Sequence, residues 1–211
     1  MGVNATATAA EVELVVAAAC MAAISSFLPP RKGSARLAKG PWDLAHPGSP
    51  DALAAPIFYS QANHAKLRRK NRFDKEAKRL PEEEPQLHFD TCAVVGNSGQ
   101  LWVEPAGLAI DAHDMVLRVN QAPTQGYEPI AGSKTTFRLL NIKWSKQYGR
   151  LHPQLLLAGD PHNTTLIVSR SNVAEFMQLH AEMTKRRPDE RLLFSSVQFM
   201  KHAGVLLQTG F

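Results

Sequence analysis

With 211 residues, 44% of them hydrophobic and 20% charged, the chain is long enough for one domain with a buried core and a tail, and its composition excludes a collagen-like, coiled-coil or wholly disordered protein. The net charge of +5 would suit a nucleic-acid binder, but it is local: residues 61–80 carry eight basic and two acidic side chains, and the rest of the chain sums to −1. Nucleic acid is therefore not expected as a partner, and the two cysteines, Cys20 and Cys92, offer no spacing for a zinc site.

In chain order, residues 1–28 contain the uncharged run "LVVAAACMAAISSFL" from Leu14 to Leu28. It is shorter than the roughly 20 residues that span a bilayer and is rich in weakly apolar Ala, so it reads as a marginal signal-anchor or targeting segment. Glu11 and Glu13 before it and Arg31, Lys32, Arg36 and Lys39 after it would favour a cytoplasmic C-terminal side. Residues 29–84 read as a Pro/Gly/Ala/Ser-rich linker followed by a basic stem, "NHAKLRRKNRFDKEAKRL", predicted as a solvated charged helix that ends before Pro81.

From residue 85 the pattern changes to short apolar runs separated by amphipathic stretches. Strands are predicted over 91–96, 115–120, 135–141, 164–169 and 191–197. Between the last two, "SNVAEFMQLHAEMTKRR" places Val173, Phe176, Met177 and His180 at helical spacing behind Ser171 as N-cap. Strand, helix and strand in succession imply an α/β fold with a parallel sheet.

The first of these strands, "CAVVG", ends in the turn Gly96-Asn97-Ser98-Gly99. Such a turn leaves backbone N–H groups open to a phosphate or a sugar, and Asn97 and Ser98 add neutral hydrogen-bonding side chains. An ordinary β-turn reads the same way, and the Rossmann third glycine is missing. The second strand, "MVLRVN", ends in Asn120. In a parallel sheet, C-terminal strand ends meet at one crevice, so Asn97 and Asn120 are expected to face one ligand.

The stretch from Cys92 to Asn141, with "CAVVGNSG", "IDAHDMVLRVNQAPT" and "GSKTT" in order, closely resembles the large sialylmotif of the eukaryotic sialyltransferase family. The resemblance implies a Rossmann-like, glycosyltransferase-A-variant-like domain over residues 85–211, with a mainly parallel sheet flanked by helices. It implies a metal-independent enzyme that moves sialic acid from CMP-sialic acid to a glycan acceptor of a glycoprotein or glycolipid, in the Golgi lumen behind a single-pass type II anchor. On that resemblance Asn97, Ser98, Gly99 and Asn120 bind the donor, and no metal or other cofactor is required. Asp111, His113, Asp114 and Arg118 are expected to brace the structure. The alternative reading is a module that binds CMP or a nucleotide sugar without turnover.

The resemblance also implies a second, smaller motif, of which Thr209, Gly210 and Phe211 look like the first residues. The family's cysteine partner for Cys92 and its general-base histidine would lie beyond, so the chain is expected to be a C-terminally incomplete, inactive fragment with a free thiol at Cys92 and an open sheet edge. His88, His113, His152, His162, His180 and His202 match no base position. Asn163 opens an Asn-Thr-Thr stretch and is a candidate N-glycosylation site.

Overall fold

The computed structural model describes residues 56–65, 73, 76–87, 89–96, 99–150, 163–169 and 171–196. The expected anchor segment, the expected motif start at 209–211 and two of the residues expected to bind the donor, Asn97 and Ser98, lie outside the described residues. Among the described residues no helix is long and apolar enough to cross a membrane.

Five strands form the sheet: β1 (Cys92–Val95), β2 (Met115–Val119), β3 (Phe137–Leu140), β4 (Thr165–Val168) and β5 (Leu192–Phe194). Each is a short run rich in Val, Leu, Ile or Phe. The whole of β2, β3 and β5 is buried, as expected for strands covered on both faces. All pair in parallel, in the order β1-β2-β3-β4-β5, with Val94 beside Leu117, Leu117 beside Phe137, Leu139 beside Ile167 and Ile167 beside Leu193. The α/β class and the five expected strands are thus what the chain forms.

Among the described residues four helices connect them: α1 (Gly107–Asp111), α2 (Glu128–Ala131), α3 (Ile142–Arg150) and α4 (Val173–Arg186). Among the described strands the order does not reverse, so right-handed crossovers lay successive connections on the same face. On that face Leu140, Leu166, Val168, Leu192 and Phe194 meet Tyr148 of α3 and Phe176, Leu179 and Met183 of α4, while Val95 and Val116 meet Ile110 of α1. Phe176 stacks on Phe194 with centroids 5.1 Å apart and an interplanar angle of 11°.

Three expectations are corrected. The stretch read as linker and solvated stem supplies core residues: Phe58, Tyr59, Phe73 and Leu80 are all buried, and the Phe73 ring lies edge-on to Phe176 and Phe194. Tyr59 N–H donates to Phe194 O at 2.9 Å, and the compact unit spans Pro56–Val197, so the boundary expected at residue 85 lies near 56. Isolated aromatics among Lys and Arg outweigh the surrounding charge, because long basic side chains keep their heads in water while a ring is buried beside them. The cap of α4 is Asn172, whose Oδ1 accepts from Glu175 N–H at 2.9 Å, and not Ser171. Both residue types cap well, and sequence cannot separate neighbours that do.

The third correction concerns Cys92, which is disulfide-bonded and not a free thiol. The chain's other cysteine, Cys20, lies outside the described residues.

Candidate functional site

The C-terminal edge of the sheet is where β1, β2 and β3 release neutral polar residues. Asn120 follows β2 with φ 54°, a left-handed conformation that Asn tolerates better than other non-glycine residues. Its N–H donates to Leu139 O at 2.7 Å, and its Oδ1 accepts the N–H of Asn141, just past β3, at 3.1 Å. The Arg138 guanidinium, reaching from β3, donates to Asn120 O at 2.6 Å and to Ala122 O at 3.1 Å. The residue is therefore held at both backbone groups and at one side-chain atom. Among the described residues its Nδ2 has no hydrogen-bond partner, which leaves a fixed donor at the edge.

Asn141 itself was not singled out from the sequence. Its Oδ1 accepts from Trp144 N–H at 3.0 Å and so caps α3, and its carbonyl accepts from Ser145 Oγ at 2.9 Å. An Asn directly after a strand and before a helical stretch was the available signal. On the neighbouring strand, Gly96 follows β1, and a Cβ there would meet none of the described residues within 4 Å. Gly99 opens a 3-10 turn over Gly99–Trp102. Further along the edge, Ser169 after β4 is fully buried and its hydroxyl has no partner among the described residues, while Ser195 after β5 donates to Val168 O at 3.2 Å.

The opposite edge is built differently. Asp111, at the end of α1, accepts the N–H groups of Ser133 and Lys134 and the Ser133 hydroxyl, at 2.8 to 3.0 Å. Burial would raise its pKa, but these donors, with the charge of Arg118, outweigh it and hold the carboxyl below its ordinary range. Asp114, before β2, accepts from the Thr91 hydroxyl at 2.8 Å and the Thr91 N–H at 2.9 Å, which lowers its pKa. Arg118 runs back along the sheet to donate to Lys134 O and Thr135 Oγ1. His113 Nδ1 is 2.8 Å from Ala109 O. Asp111, Asp114 and Arg118 thus brace the β1, β2 and β3 entries, while the His113 ring bonds back onto α1.

Two glycines make that bracing fit. A Cβ on Gly107 would stand 2.0 Å from Glu128 O, and one on Gly132, whose φ is 74°, would stand 2.3 Å from Asp111 Oδ1. The structure thus separates the motif's polar residues by edge: Asn120 and Asn141 at one, Asp111, His113, Asp114 and Arg118 at the other. His180 belongs to neither. It lies in α4 against Phe176, where burial, and then the charge of Arg79, lower its pKa.

Fixed amide groups above an apolar sheet can select a neutral base or a sugar hydroxyl. Comparison with known proteins agrees in kind. Residues 55–205 match the model of glycosyltransferase family 29 (sialyltransferase). The chain is 52% identical over 64 residues to sialyltransferase-like protein 2 of Arabidopsis thaliana, covering 29% of this chain and 14% of that one. It is 57% identical over 58 residues to the CMP-N-acetylneuraminate-beta-galactosamide-alpha-2,3-sialyltransferase 1 of Homo sapiens, covering 28% and 17%. The chain therefore spans less than a fifth of the length of these two relatives. A crystal structure of a mammalian sialyltransferase in complex with Gal-beta-1-3GalNAc-ortho-nitrophenol is 21% identical, with a TM-score of 0.44, covering 71% of this chain and 64% of that one. With the family model matching well over half of its length, the chain belongs to glycosyltransferase family 29, the sialyltransferases.

Proposed function

We propose that the chain serves the transfer of sialic acid from CMP-sialic acid to a glycan hydroxyl, and that the C-terminal edge of β1 to β3 holds the nucleotide end of the donor. The observation that carries this reading is the Nδ2 of Asn120, which has no partner among the described residues and is fixed by the bonds to Leu139, Asn141 and Arg138 at the same sheet edge as Gly96. Asn97, Ser98 and Gly99 would contact the sugar and phosphate from the end of the neighbouring strand. Transfer is read as metal-independent, with charge on the departing nucleotide met by hydrogen-bond donors. A glycan ending in a galactose-type sugar is the acceptor class, since relatives are named for a beta-galactoside or a beta-galactosamide. The setting is the Golgi lumen.

A second reading, binding of CMP or a nucleotide sugar without turnover, is favoured by one observation: His113 stands at the opposite edge and His180 in α4, so neither is placed to take a proton from an acceptor hydroxyl.

Titration of the folded chain with CMP, followed by NMR, tests what the two readings share. The side-chain amide of Asn120 is expected to shift. Asn120→Gly, which keeps the left-handed backbone and removes the amide, is expected to weaken CMP at least about tenfold, the value of one good hydrogen bond. A folded sample in which CMP moves no resonance of residues 96–99 or 120 sinks both. Release of sialic acid from the donor, or its transfer to a galactoside, then separates the enzyme from the binding module.

A further inference from the structure

We propose that Asn163 carries an N-linked oligosaccharide. It opens the triplet Asn163-Thr164-Thr165, which is followed by Leu166 and contains no proline, so it satisfies the acceptor pattern with Thr as the hydroxyl residue. The folded chain keeps this asparagine in solvent: Asn163 is exposed in a turn immediately before β4. Its two neighbours are tied into the sheet instead. Thr164 is buried and donates from Oγ1 to Thr135 O at 3.1 Å, and Thr165 N–H donates to Thr136 O at 3.0 Å. The backbone is thereby anchored one residue beyond the modified side chain, so a large polar group leaves the surface without disturbing the ladder.

Placement favours the modification as well. Asn163 lies at the N-terminal edge of the sheet, and at about 3.3 Å per residue along β4 the two edges are on the order of 15 Å apart. A glycan here would stand clear of Asn120 and Asn141. The chain's other matching triplet, Asn4-Ala5-Thr6, provides an internal control.

The inference rests on the luminal setting proposed above, and the test keeps the two apart. The full chain is expressed in cultured eukaryotic cells, and its gel mobility is read before and after peptide-N-glycosidase, alongside Asn163→Gln, Thr165→Val and Asn4→Gln. A mobility shift lost in Asn163→Gln and in Thr165→Val but kept in Asn4→Gln is expected, with residue 163 read as Asp in the deglycosylated wild-type peptide by mass spectrometry. That peptide reading stands on the unaltered chain, so poor folding of a variant does not blur it. An Asn at 163 in chain protected from protease inside microsomes overturns the glycan alone. A chain digested by protease added to intact microsomes overturns the glycan and the luminal setting together.

Discussion

The two edges of one sheet solve different problems with different polar groups. At the N-terminal edge the groups are charged, and each carboxylate has its donors: Asp111 takes Ser133 and Lys134, and Asp114 takes Thr91. At the C-terminal edge one charge, the Arg138 guanidinium, is spent on the carbonyls of Asn120 and Ala122; the other groups are amides and hydroxyls, and some hydrogen-bonding capacity is left over among the described residues, on Asn120 Nδ2 and on the buried Ser169 hydroxyl. Charge left without partners at a half-buried edge would cost far more than a neutral amide does, so an edge kept open for a ligand is best lined with neutral groups. The difference teaches which polar residues of the motif hold the fold and which are free to hold something else.

The sharpest way to break that comparison is Arg118→Met. Arg118 is fully buried and its donors satisfy Lys134 O and Thr135 Oγ1, so the loss is expected to be about 3 kcal/mol in urea denaturation. CMP affinity of the fraction that stays folded should be unchanged. A stable variant with lost CMP binding would mean that the edges are not separate in role. Next in size is Gly107→Ala, which drives a methyl into the Glu128 carbonyl and is expected to cost about 2 kcal/mol by the same measurement. Wild-type stability there would show that α1 and α2 can separate freely.

The smallest effect concerns pH. Asp111 has a folded pKa below its ordinary value of 3.8. Its contribution to stability is therefore present above that value and is lost as pH falls through the lowered folded pKa. Thermal melts below about pH 4 should show the wild type losing stability more steeply than Asp111→Asn, which does not titrate. Parallel curves would remove Asp111 from the set of braces.

Much of this was legible in the sequence. The five strands were visible because each is a run of buried β-formers bounded by turn residues, and the place of Asn120 at the exit of β2 because it ends such a run. Which edge a polar residue serves was not legible, since Asp111, Asp114 and Asn120 lie within ten positions and only the pairing of β2 assigns them to opposite ends. Phe58, Tyr59 and Phe73 were hidden for a related reason. The partners, Phe194 for Tyr59, Phe176 and Phe194 for Phe73, and Ser195 for Phe58, are more than a hundred residues away, and no local period announces a contact at that range. Asn141 was missed because its bond to Asn120 joins two strand exits that are adjacent only once β2 and β3 have paired.

Arg118 and Arg138 are direct neighbours across β2 and β3, and they reach in opposite directions. The guanidinium rooted in β2 fastens the entry to β3, and the one rooted in β3 fastens the exit from β2. Each strap belongs to the strand that the other strap secures, so neither loop can be locked before both strands are in register. The crossover between them assembles as an interlock, like two hooks that engage in a single motion, and the amide edge at Asn120 becomes rigid in the same step that closes the far end of the sheet.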